Sequence, residues 1–318
     1  MNKKIKKLFL LLFLLMIGGC FKSSDEICPL VQSSISEKDL ISLHSPFAPL
    51  KLEESSEDWG KEWKIGHGLG KKLDLFRAIS AFKRAEILLS SSDSSRQKEL
   101  EYNILLSYYL GKKYEDVIES FEKTNLAKVD KSFTAFHDLL VILQDSYLQT
   151  KEKKKADQLL EVIHANFPYT ADNLVLSTAM KDADCLTLRE IAKKNPQRSY
   201  INTFLNEYNR CKKSVATAQF LNTFIPGSGY LYLGQKKSAF TAFFLNAVFI
   251  AAAYEFFNKG LIAPGIITTS IEIGWYLGGI IGAGDETKFF NEKLYRCQAK
   301  KLMQDKKIFP IFQLQYAY

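Results

Sequence analysis

Apolar positions along the chain fall into distinct regimes. Residues 8–17, LFLLLFLLMI, are one unbroken apolar run. From residue 59 to about 213 apolar residues recur every three to four positions, the period of helices that bury one face. From 214 onward the runs lengthen. No charge occurs between Ser214 and Gln235, residues 238–257 carry only Glu255, and residues 261–284 carry only Glu272. A twenty-residue helix is about 30 Å long, the thickness of a bilayer's hydrocarbon core. Residues 238–257 and 261–284 therefore predict two membrane spans joined by a turn at Asn258-Lys259-Gly260. Residues 288–307 return to a helical period with a basic face suited to an anionic membrane surface. The closing FPIFQLQYAY places Phe312, Leu314, Tyr316 and Tyr318 on one side, as an edge strand or docked tail would. The expected fold class is all-α: a helical stack followed by a C-terminal transmembrane helical hairpin.

Inside the helical region a pattern repeats. Ala78-Ile79-x-x-Phe82-x-x-Ala85 is followed by Val117-Ile118-x-x-Phe121-x-x-Thr124, then by Ala156-x-x-x-Leu160-x-x-Ile163, with 39 residues between successive first positions. Tyr108 and Tyr147 stand nine residues before Val117 and Ala156. A small residue on a second helix lets the first approach closely, and the next apolar residue fills the gap. One such pair cannot bury its apolar face alone, so pairs stack. The pattern resembles the tetratricopeptide repeat over residues 59–170, best in the third block, where Leu143, Tyr147, Ala156, Leu160, Ile163 and Pro168 occupy that family's spacings. The period exceeds the family's usual length, so longer loops are expected, with SSSDSSRQ at 90–97 as one insertion, and Leu69 stands where the family has a tyrosine. The resemblance implies a groove for protein partners around Tyr108 and Tyr147. Residues 171–213 read as further helices that cap the stack or link it to the membrane.

The first residues add an address. Lys3, Lys4, Lys6 and Lys7 precede the apolar run, and Ile17-Gly18-Gly19-Cys20 follows it. This is similar to the bacterial lipobox and implies a lipoprotein signal peptide at 1–19, palmitate or a like acyl chain on Cys20, and a cell-envelope location. Residues 20–58, rich in Ser, Glu, Asp and Pro, read as a flexible tether. Half of the formal net charge of +8 sits in the four leader lysines. The basic balance thus gives no reason to expect nucleic acid, and no Arg-aromatic cluster suggests it. Five cysteines occur; with Cys20 acylated, four remain, and Cys185 with Cys211 is the favoured disulfide in an oxidising compartment. No Cys/His spacing suggests a metal, and no cofactor is expected.

FIPGSGYLYLG, residues 224–234, interrupts the apolar region with one proline and three glycines. Pro226-Gly227-x-Gly229-x-x-Tyr232-x-Gly234 before Lys236-Lys237 and a long apolar helix resembles the TM2 domain, a two-helix membrane module, over residues 217–287. That family's Asp-rich segment between the helices is absent, which leaves a receptor-like role unsupported. Pro226 removes an N–H and the glycines permit a tight reversal. The break belongs at the interface or under the hairpin, with Tyr230 and Tyr232 at headgroup level. The membrane module is expected over 214–287 and a basic helix and tail over 288–318. Gly274, Gly278 and Gly282 share one helix face, where another helix, including one from a second copy, can approach. Asn246 and Glu272 are polar groups at comparable depths in the two spans; a structural hydrogen bond of Glu272 to Asn246 or to backbone, a proton or ligand site, or an oligomer contact would each explain them. Two spans put the lipid anchor, the repeats and the C-terminal residues on one side. A third span at 215–234 would put Lys236 and Lys237 inside, in keeping with the positive-inside rule.

GHGLGKK at 66–72 lacks phosphate-loop spacing, and His44, His67, His137 and His164 are scattered without a paired motif, so an enzyme is not expected. The sequence favours an envelope lipoprotein, by its spans of the inner membrane, that presents a helical-repeat platform to protein partners and touches membrane lipid. The alternative is a small channel or transporter accessory acting through the glycine-rich hairpin and Glu272.

Overall fold

The computed structural model describes residues 26–33, 35, 36, 38, 39, 42–89 and 94–318. Among them the chain is all-helical, with no strand and one isolated bridge, between His44 and Tyr316. The helices are α1 (Leu52–Ser56), α2 (Asp58–Lys71), α3 (Leu75–Leu88), α4 (Ser94–Leu110), α5 (Tyr114–Lys123), α6 (Phe136–Gln149), α7 (Lys153–Asn166), α8 (Pro168–Lys181), α9 (Cys185–Lys194), α10 (Tyr200–Cys211), α11 (Val215–Phe224), α12 (Ser228–Tyr232), α13 (Lys236–Asn258) and α14 (Ile262–Asp305). They divide into two compact units. One comprises Val31–Ile191 with Lys300–Tyr318; the other comprises Ala192–Ala299 with the described residues before Val31.

In the first unit, successive helices from α2 to α8 pack on one another, and α4 also meets α6. Ala78, Val117 and Ala156, the three positions aligned by the sequence pattern, are all fully buried on α3, α5 and α7. Helices α2, α4, α6 and α8 end in the same kind of turn. The amide of Asp74, Lys113, Glu152 or Asp184 donates to the carbonyl five residues earlier, of Leu69, Tyr108, Tyr147 or Ala179. The residue just before each donor, Leu73, Lys112, Lys151 or Ala183, has a left-handed backbone, with φ between 55° and 65°. Such a reversal satisfies terminal carbonyls and usually takes glycine. None is glycine here, so each turn carries local strain. Lys151→Gly is expected to stabilise the unit by about 1 kcal/mol, read as a higher denaturation midpoint.

Side chains link these four helices in order. Trp63 donates to Glu99 (2.8 Å), Asn103 meets His67 (3.2 Å), Tyr109 donates to Asp145 (2.9 Å) and Lys181 pairs with Asp145 (2.9 Å); each link spans 36 residues. Helices α4 and α6 are buried on nearly all sides.

Two differences from the sequence reading concern boundaries. The serine-rich stretch 90–97 is not all loop: α4 begins at Ser94, and Arg96 pairs with Glu99 (2.6 Å) one turn on and with Glu54 (2.9 Å). Those two carboxylates give the helix start a reason that serine content hides. Order also begins before Trp59. Phe47 packs edge-on to Tyr102, with ring centroids 5.7 Å apart, and Arg96 donates to the carbonyls of Ala48 and Pro49.

In the second unit α13 and α14 are long and apolar enough to cross a membrane. They are joined at Lys259 and Gly260 (φ 71°), where the Leu261 amide closes back on Phe256. Helix α14 runs unbroken through the predicted span and the predicted basic helix.

Candidate functional site

The strongest site lies in the first unit, where α2, α3, α4, α6 and α8 hold Gln313 and the extended segment that follows it, residues 314–318. Helix α8 starts the row: Asn173 donates to the Gln313 side chain (2.9 Å). Helix α6 provides the latch. The Asp138 carboxylate, fully buried, accepts the amide of Gln315 on both oxygens (3.0 Å each) and that of Tyr316 on one (2.9 Å). From the other side, the Ala317 amide donates to the His44 carbonyl (3.1 Å), in the one parallel bridge. Helices α2, α3 and α4 then enclose Tyr318. Its ring stacks on Phe82 at 6.0 Å and meets the edge of His67 at 6.1 Å. A Cβ on Gly70 would lie 2.8 Å from that ring, so only glycine leaves room for it. Ser107 gives its proton to the Asn103 carbonyl (2.6 Å), which leaves the Tyr318 hydroxyl to donate to Ser107 (2.6 Å).

His137 orients the latch. It bonds Asp138 through Nδ1 (2.7 Å) and Thr170 through Nε2 (2.9 Å), with Phe167 edge-on to its ring. Hydroxyl, imidazole and carboxylate thus line up as in a nucleophile set, but the carboxylate is taken by two amides of the segment and all three residues are buried. The arrangement fixes Asp138. His67 is held differently: burial, aided by the charge of Lys71, pushes its pKa down to about 3. The folded protein keeps this ring neutral while the unfolded chain protonates it near 6.5. Its contribution is complete above pH 6.5 and is lost as pH falls from there toward 3, by about 1.4 kcal/mol per pH unit. Replacing it, as His67→Phe, is expected to flatten the acid limb of a stability-versus-pH curve measured by chemical denaturation.

A cavity of about 520 Å³ adjoins this region, walled by Leu73, Leu75, Leu110 and Ile311, with Asp145 and Lys181 among its lining residues. Burial works against the charged form of Asp145, but Lys181, Tyr109 and Gln149 outweigh it and hold the carboxyl below its usual range. Tyr108 lies elsewhere, half-buried in a second cavity of about 370 Å³, where Lys83 donates to its hydroxyl (2.9 Å). Tyr147 is buried with the Lys155 ammonium 5.0 Å above its ring. The groove that holds the segment is lined instead by His67, Gly70, Phe82, Ser107, Asp138 and Asn173. A polar series at buried positions of α4, Glu99, Asn103 and Ser107 at four-residue steps, was the available sequence signal for it.

In the second unit the proline-glycine break is a close-packed junction. Helix α11 ends at Phe224, Gly227 turns the chain with φ 91°, and the short α12 leads to Gly234 with φ 79°. The Asn222 side chain accepts the amides of Gly227 (2.8 Å) and Gly229 (3.3 Å), which replaces helix bonds lost at Pro226. A Cβ on Gly227 would meet the Ala239 carbonyl oxygen at 2.2 Å; one on Gly229 would meet the Ala218 oxygen at 2.5 Å and Ala283 at 2.8 Å. Asn291 clasps the backbone of Lys213 with both side-chain atoms (2.8 Å each), Tyr232 accepts the Ser214 amide (3.3 Å), and Gln235 donates to Glu286 (2.7 Å). No protein-family model, curated protein or solved structure matches this chain.

The remaining expected residues sort by environment. Gly282 faces Tyr230, whose hydroxyl would lie 2.5 Å from an added Cβ, whereas Gly274 and Gly278 have nothing within 4 Å. Asn246 and Glu272 are buried; Asn246 donates to the Ala242 carbonyl (2.6 Å), but its oxygen and both Glu272 oxygens have no hydrogen-bond partner. No hydrogen bond joins the two side chains. No disulfide joins Cys185 to Cys211. Among the described residues no cluster of three His, Cys, Asp or Glu could hold a metal. Cys20 and the lipobox lie outside the described residues.

Proposed function

We propose that this chain is a membrane-anchored envelope protein whose helical array is a stack of tetratricopeptide-like pairs that binds extended segments of other proteins. One observation carries the reading: an extended stretch, residues 314–318, already lies across α6 and α4 and is held by its backbone amides and a ring pocket. The matched turns after α2, α4, α6 and α8 and the 36-residue ladder of side-chain bonds support a repeating unit.

The membrane half of the reading rests on exposure. Only 11% of the most apolar window of α13 and 17% of that of α14 is buried, whereas core helices of a water-soluble domain would be mostly covered. Phe240, Phe243, Phe244, Ile250, Ile267 and Trp275 all face outward. Lipid is the solvent that suits them, with α13 and α14 as a transmembrane hairpin and Cys20 as the acyl attachment point. The second reading keeps one observation of its own: the partnerless carboxyl of Glu272, which a channel or transporter accessory would use.

Alkaline carbonate should leave the chain in the membrane pellet, and Cys20→Ser should abolish incorporation of labelled palmitate; release by carbonate would overturn the membrane reading. Crosslinking with mass spectrometry in the native cell separates the two functions. Partner crosslinks that survive Glu272→Gln but disappear with Ser107→Trp in the groove support the platform; the opposite pattern supports the rival.

A further inference from the structure

We infer that residues 314–318 are an exchangeable resident of the groove, and that its external ligand is an extended segment of another protein with the same chemistry: an apolar residue, two residues with free amides, a small residue, then tyrosine. This rests on the platform reading above and adds what the platform recognises.

The contacts define the specificity position by position. Leu314 is buried and Gln315 is exposed, so the first position is apolar and the second is read only through its backbone. Asp138 takes the amides of residues 315 and 316; a proline at either would remove a donor from a buried carboxylate. Ala317 is buried, so only a small side chain fits there. The last pocket selects a hydroxylated ring, since Gly70 and Phe82 shape the slot and Ser107 accepts the hydroxyl. These are contacts that any extended peptide can make, by strand-like pairing and one deep anchor, and none depends on structure within the segment. The segment also follows its own reversal at Lys307 (φ 54°), whose Nζ pairs with Asp39 (3.2 Å), and a short 3-10 turn at Pro310–Gln313. Residues 314–318 can therefore leave without unwinding a helix.

The test uses the full chain in detergent, with and without residues 314–318, and a fluorescein-labelled peptide PIFQLQYAY read by anisotropy. The shortened chain should bind the peptide, and the intact chain should bind it about tenfold more weakly or not at all, because its own segment competes at high local concentration. Alanine in place of the final tyrosine, proline in place of the peptide's second glutamine, or Asp138→Ala in the shortened chain should each weaken binding by about tenfold or more. A folded shortened chain that ignores the peptide, or binds the proline peptide equally well, overturns the inference. If the shortened chain does not fold, hydrogen exchange on the intact chain decides. Exchange of the Gln315, Tyr316 and Ala317 amides by local opening, faster than amides in the middle of α6, supports exchangeability; exchange only through global unfolding makes the segment permanent core and ends the idea. Peptide binding without partner crosslinks in cells would sink the platform reading while leaving the groove chemistry standing.

Discussion

Asp138→Ala is expected to free residues 313–318 and to destabilise the first unit by about 4 kcal/mol. The buried carboxylate accepts two backbone amides and the His137 ring. Hydrogen bonds to a charged acceptor contribute about 1.5–3 kcal/mol each, and the abandoned amides would stay partly buried. The loss should show twice: as a lower denaturation midpoint and as new protease cleavage between residues 307 and 318. Asp138→Asn keeps an acceptor oxygen and should recover part of the loss. Equal stability of Asp138→Ala and the parent would mean that the segment is held by Tyr318 alone.

Gly227→Ala should disrupt the second unit by more than about 3 kcal/mol. The position has a left-handed backbone, and an added Cβ would sit 2.2 Å from the Ala239 carbonyl oxygen. Backbone strain and a clash with an immovable atom combine at one site. Asn222→Ala attacks the same junction from the other side by leaving the Gly227 and Gly229 amides without their acceptor, at about 1–3 kcal/mol each. Both variants should become protease-sensitive between α11 and α13, while Gly234→Ala, whose added Cβ meets nothing within 4 Å, should show only the milder cost of its positive φ.

The helical class and the two long apolar helices were legible because local periodicity and composition encode them. The 39-residue spacing singled out Ala78, Val117 and Ala156, which are all buried, and the glycines around Pro226 signalled a break. The groove was not legible for two reasons. Helices α4 and α6 are covered on nearly all sides, so Glu99, Asn103, Ser107 and Asp138 interrupt the apolar period that reading relies on. Its partners are also distant in sequence: Asp138 meets residues 177 and 178 positions away, and Ser107 meets one 211 away, separations for which no spacing rule exists. Tyr147 is buried beneath the Lys155 ammonium, while Tyr108 stands half-buried in the second cavity. The Cys185–Cys211 pairing rested on closeness in sequence, which does not fix the geometry a disulfide needs.

One consequence reaches beyond the array itself. Residues 300–318 fold into the same body as residues 31–191, with Tyr318 seated against Gly70 and Ser107. In the transmembrane reading proposed above, both ends of the stretch between would have to lie on one side of the bilayer, since the two flanking parts form one body. That reading then requires an even number of crossings between residues 192 and 299, which two long helices satisfy and a third traverse at 215–234 would violate.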